Sequence, residues 1–209
     1  HGNSSGQGGG LYVTGTSASL IDSTTIYSNI SASYGGGIKV YDNAIITMND
    51  TKVNSNISSN DGGGIHGAQQ SDITLINSEI NNNVTDTSAV DTSYGGGVYL
   101  SGSSTMSIQG SEIHGNSSGQ GGGLYVTGTS ESHIDSTTIY MNNSTSYGGG
   151  IKVYDNAIIT MNDTEVSANT SSNDGGGIHG GQQSAITLIN SEINNNVADT
   201  SAVDTSYGG

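Results

Sequence analysis

The chain of 209 residues carries 34 glycines, no proline, cysteine, tryptophan or phenylalanine, and a formal net charge of −15. Lys39, Lys52 and Lys152 are its only lysines and it has no arginine, which argues against nucleic acids and against polyanionic sugars as partners. With no cysteine there is no disulfide framework or thiolate metal site, and no stretch approaches the run of about 20 apolar residues that a membrane span needs.

The apolar residues are few, 31% of the chain, but they recur at fixed places, which argues against disorder. Triple glycines begin at 8, 35, 62, 95, 121, 148 and 175, and the chain ends on Gly208-Gly209. Each triplet is followed by an apolar residue: Leu11, Ile38, Ile65, Val98, Leu124, Ile151 and Ile178. A second apolar pair comes next, as in Ile46/Met48, Ile73/Leu75 and Met106/Ile108. A third element reads Ser/Thr-x-Ile/Val-x-x-Asn, as in Thr51 to Asn56 and Ser78 to Asn83.

Each unit therefore predicts three short strands, for example Ile38-Lys39-Val40, Ile46-Thr47-Met48 and Thr51-Lys52-Val53. Alternation with β-branching favours strands, and glycine density disfavours helix. Three strands in about 27 residues fit one rung of an all-β, right-handed parallel β-helix, whereas a propeller blade needs about 40–45. About eight rungs are expected, stacked about 4.8 Å apart, and the glycines are expected at tight turns.

A longer repeat contains the shorter one. Residues 1–96 match 114–209 at an offset of 113 with 12 differences, so the chain reads as one array of two super-repeats, 1–113 and 114–209. Leu20 becomes His133, Lys52 becomes Glu165 and Asp72 becomes Ala185, all at positions predicted to face outward. The extra residues of the longer units, Asp86–Tyr94 and Asp199–Tyr207, are expected to form projecting loops. The chain opens inside a repeat at His1-Gly2-Asn3 without a signal peptide, which reads as a segment of a longer repetitive protein.

The pairing of Gly35-Gly36-Gly37-Ile38 with Val53-Asn54-Ser55-Asn56, repeated in every unit, resembles the polymorphic outer-membrane-protein repeats of chlamydial surface proteins. That family is recognised by GGA[ILV] and FxxN. Here Gly replaces the Ala, and Ile or Val replaces the Phe. The resemblance implies a β-helical passenger region on a cell surface, serving adhesion or as a stalk.

Two columns of residues stand out. Asn3, Asn29, Asn56, Asn83, Asn116, Asn142 and Asn169 are each followed two positions later by Ser or Thr, and Asn49, Asn143 and Asn162 share that pattern. All ten are N-glycosylation acceptors if the chain passes through a eukaryotic secretory route. The alternative is an asparagine ladder, hydrogen-bonded from rung to rung. Asn196 favours the ladder, since Ala198 removes its acceptor motif. The second column, Tyr12, Lys39, His66, Tyr99, Tyr125, Lys152 and His179, reads as an outward ring-and-cation row. It can bind the face of a sugar, or simply pack across rungs.

Other chemistry finds little support. The glycine runs lack the helix and lysine of a phosphate loop, and the nonapeptide of calcium β-helices is absent. Nearly every acid and histidine has a repeated counterpart, whereas a catalytic site is usually unique, so no enzyme, cofactor or metal is expected. Thr-x-Thr recurs only every fourth rung, too sparse for an ice-binding face. The expectation is an extracellular structural protein, a surface fibril, filament or stalk. Its partner would be itself, stacked end to end or continued as one fibre, and it would carry covalent glycans if the acceptors are used. The alternative is an adhesin module that grips glycans or a host receptor.

Overall fold

The computed structural model describes residues 2–86 and 92–199. Each turn holds four strands. In the second turn these are Ile38–Tyr41, Ile45–Asn49, Lys52–Asn54 and Ile57–Ser58. Every strand pairs in parallel with its counterparts one turn away, so the chain winds into four parallel sheets of seven, seven, seven and eight strands. The register is strict. Ile38 lies between Leu11 and Ile65, and Ile46 between Ser19 and Ile73.

Three of the strands are those legible as alternating runs. The fourth is an addition to the expected three. It spans two residues, and its inward side chain is Ser58, not an aliphatic one. The interior is accordingly apolar on three faces and polar on the fourth. Ile38, Val40, Ile46, Met48 and Val53 of the second turn are fully buried in the continuous core. Such stacking is the only way a single turn can bury its apolar face.

The glycine triplet has a separate reason at each position. Gly35 sits at φ +67°, in the left-handed region. A Cβ on Gly36 would overlap the Gly63 carbonyl of the next turn, and one on Gly37 would stand 2.9 Å from Asn56 Nδ2. The third glycine thus leaves space for an asparagine amide and for the Gly64 carbonyl of the next turn. Other corners are not glycine. The bends on either side of the third strand use Asp50 and Ser55, and further along the stack Met141 and Ala168, all at φ between 47° and 53°.

Of the 12 differences between the super-repeats, only Ala68/Gly181 and Thr85/Ala198 fall where the first copy is buried. Leu20, Lys52 and Asp72 are exposed. The expected projecting loops fall largely on residues 87–91 and 200–209, outside the described residues. Among the described residues no helix is long and apolar enough to cross a membrane.

Candidate functional site

The asparagine column occupies the corner between the third and fourth strands, with its side chains turned inward. Asn56, Asn83, Asn116 and Asn169 are 0% exposed, and Asn29 and Asn142 1%. The bonding repeats from turn to turn. Asn83 Nδ2 donates to Asn116 Oδ1 at 3.1 Å and to the Val53 carbonyl at 2.8 Å, and its backbone N–H donates to the same Asn116 Oδ1 at 2.9 Å. Asn116 repeats this toward Asn142 and Ile80, and Asn142 toward Asn169 and Ile113. Both amide protons, including the one a glycan would replace, are therefore committed.

The residue two positions on belongs to a second buried column. Ser58 Oγ donates to the Ser33 carbonyl at 2.7 Å and to the Asp61 carbonyl at 3.0 Å, just ahead of the glycine triplet. Ser31, Ser118, Ser144 and Ser171 cap the corresponding carbonyls. In the column, the Asn-x-Ser/Thr pattern is thus one ladder asparagine, one outward strand residue and one inward hydroxyl. The other acceptors sit differently. Asn3 and Asn143 are exposed, though Asn3 Nδ2 also donates to Asn29 Oδ1. Asn49 and Asn162 are half-buried on the second face, and Asn162 Nδ2 donates to the Asp135 and Asp163 carboxylates.

The ring-and-cation column lies on the outer side of the first face, in register from Tyr12 to His179. It is not the exposed row the sequence suggests. Lys39, Lys152, His66 and Tyr125 are buried, and Tyr99 and His179 half-buried, whereas Tyr12 is exposed. The cause is a second layer of rings. Tyr34, Tyr94 and Tyr147, each immediately ahead of a glycine triplet, fold over the column. Lys39 Nζ lies 5.4, 5.0 and 4.6 Å from the centroids of Tyr12, Tyr34 and Tyr41 and donates to Gln7 Oε1. Lys152 repeats this with Tyr125, Tyr147, Tyr154 and Gln120. Cation–π attraction of this kind strengthens with desolvation. Burial lowers the Lys39 pKa, and it drives His66 down to about 3, with the Lys39 charge acting in the same direction.

An open cleft of about 670 Å³ runs over this face. Rings line its floor in series, with Tyr34 and His66 5.0 Å apart and His66 and Tyr99 5.1 Å apart. On one side stands Asp61, whose Oδ1 accepts the Tyr94 backbone N–H at 3.2 Å. Burial pushes this carboxyl up to about 7. Exposed Gln69 stands among the lining residues.

A second group was not singled out by sequence. On the third face Lys52 Nζ meets Glu79 Oε2 at 2.6 Å, and His114 Nε2 meets Glu79 Oε1 at 3.1 Å. His114 stacks on Tyr140 at 4.6 Å, and Tyr140 donates to Glu112 at 3.2 Å. The signal was the shared phase of Lys52, Glu79 and Glu112, which pair turn to turn. The hydrogen bond from Lys52 holds Glu79 below the usual carboxylate range. Among the described residues no group of three His, Asp or Glu is placed to hold a metal ion.

Fold and columns together define a parallel β-helical repeat protein. The chain matches the family model described as right handed beta helix region over residues 9–198, and it belongs to that family. Comparison with curated proteins and with solved structures returns no match.

Proposed function

We propose that this chain is a structural extracellular segment, a rigid stretch of surface fibril or stalk that associates with further copies or turns of itself. The observation that carries this reading is where the two super-repeats differ. Ten of 12 substitutions avoid buried positions, the asparagine and aliphatic columns persist, and the inward hydroxyl column changes only at Thr85/Ala198. What is retained is therefore what sets length and stiffness. The resemblance to polymorphic outer-membrane-protein repeats supports a cell-surface location. Glycans, if the chain carries them, belong on Asn3, Asn49, Asn143 and Asn162 and not on the buried ladder. The test is length. Chains with one, two and three 113-residue units should lengthen by about 19 Å per unit in small-angle scattering, from four turns of about 4.8 Å. Random-coil or globular scaling would refute it.

A second reading is a binding module of the adhesin type. It is favoured by one observation, the open cleft with its floor of rings on the first face.

A further inference from the structure

We infer that each super-repeat closes a covalent amide cross-link between a buried lysine and the glutamine one turn before it, Lys152 to Gln120 and Lys39 to Gln7. Placement carries the inference. Lys152 and Gln120 are 4% and 8% exposed, and the Lys152 Nζ donates to Gln120 Oε1. Tyr125, Tyr147 and Tyr154 enclose the amine. The other super-repeat builds the same group, with Lys39 Nζ 2.5 Å from Gln7 Oε1. Lys52, the third lysine, is exposed and bridges Glu79 instead. An amine in contact with a carbonyl oxygen stands roughly 3–4 Å from the carbonyl carbon, near the separation from which attack begins. The last torsion of a glutamine is soft, so a small rotation turns the carbonyl face toward the nitrogen.

The amine attacks only when neutral, and burial shifts Lys39 in that direction. The proton it sheds has an acceptor on the following turn. His179 pairs in register with Lys152, and His66 with Lys39. Among the described residues the Nδ1 of each histidine is buried and makes no hydrogen bond to another side chain. Burial and the neighbouring lysine charge both keep these rings neutral, hence able to accept. The step balances without an oxidant or reductant. The lysine ammonium gives one proton to the imidazole. Nζ then adds to the glutamine Cδ, the Cδ–Nε2 bond breaks, and Nε2 leaves as ammonia with a second proton from Nζ. The imidazole proton follows it, so the products are a secondary amide and ammonium. The bond ties consecutive turns across the glycine corner, between residues 32 apart in sequence. Such a tie stabilises chiefly by restricting the unfolded chain.

The test is the intact mass of the whole folded chain, with tandem mass spectrometry of its protease digest. Each cross-link removes one ammonia, about 17 Da. The folded chain should fall below its sequence mass by one or two such steps, and the digest should yield a linked pair of peptides holding Gln120 and Lys152. Trypsin should no longer cut the denatured chain after Lys152. Lys152→Arg should restore one step and leave the Lys39 bond in place. In chains followed from cell-free synthesis, His179→Phe should slow the Lys152 bond by about tenfold or more and leave the Lys39 bond at the parent rate. Circular dichroism confirms that each variant folds. Full sequence mass in the folded parent overturns the proposal. A deficit traced to a succinimide at an asparagine, with no linked peptides, overturns it equally. An unchanged rate in His179→Phe refutes the proton route and the step as written.

Discussion

Asn116→Ala is the sharpest perturbation of the ladder. Asn116 Oδ1 accepts the Asn83 backbone N–H at 2.9 Å and Asn83 Nδ2 at 3.1 Å, and its own Nδ2 donates to the Ile80 carbonyl at 2.9 Å and to Asn142 Oδ1 at 3.0 Å. Alanine removes all four. The Asn83 backbone N–H and one Asn83 amide proton are left without an acceptor, and the Ile80 carbonyl loses a donor. Each unsatisfied buried group costs about 1–3 kcal/mol, so the expected loss over the three is about 3–9 kcal/mol. That is a large part of the roughly 5–15 kcal/mol of an ordinary domain. Because turns contact only their neighbours, the break should also uncouple the turns before it from those after it, giving a broadened or two-step transition. Guanidinium denaturation followed by far-ultraviolet circular dichroism reads both effects. Ser117→Ala, one residue on and pointing outward, is the control and should stay within about 0.5 kcal/mol. A loss below about 1 kcal/mol for Asn116→Ala would show that the ladder does not hold the turns together.

Other outcomes follow from the same geometry. In a eukaryotic secretory host, any glycan placed on a ladder asparagine before folding blocks that turn. Properly folded, secreted material should therefore carry sugar only at Asn3, Asn49, Asn143 or Asn162; peptide mapping that finds folded protein glycosylated at Asn83 or Asn116 would contradict this. Gly36→Ala should destabilise severely, because its Cβ overlaps backbone carbonyls that cannot move independently, whereas Gly6→Ala, with nothing within 4 Å, should be near neutral in thermal melts. Met141 is 66% exposed and held at φ 53°, so Met141→Gly should raise stability by about 1 kcal/mol, the cost of a left-handed non-glycine residue. The pH response pits two groups against each other. Asp61 rises from 3.8 to about 7, so the folded state keeps a proton the unfolded chain releases, and its contribution falls as pH rises through that window. His66 drops from 6.5 to about 3, so the unfolded chain binds a proton the folded state refuses, and stability rises with pH between those values. Asp61→Asn removes the falling contribution, and its denaturation midpoints should climb more steeply than the parent's between about pH 4 and 6.5. Parallel pH profiles would refute the assignment.

The sequence by itself determined the repeat, the parallel stacking and three of the four faces. The reason is that Ile38/Val40, Ile46/Met48 and Val53 alternate with polar residues, and an aliphatic period of two has one physical reading. It also placed Asn56 and its counterparts at a turn, but left ladder and glycan open, because Asn-x-Ser spells both. Only the tertiary structure decided what that pattern is made of. Neighbouring turns surround the asparagine and the hydroxyl and take up their protons, and that depends on atoms 27 to 33 residues away in sequence. The fourth strand escaped notice for a related reason, since its inward side chain is polar, bonded to the Ser33 carbonyl of the neighbouring turn and to the nearby Asp61 carbonyl. The ring-and-cation column was legible as a column and misread as exposed. Its register follows from period, but its cover does not. Tyr34, Tyr94 and Tyr147 fold over it from across the glycine corner, and burial of a lysine is set by what packs above it, which no spacing along the chain encodes.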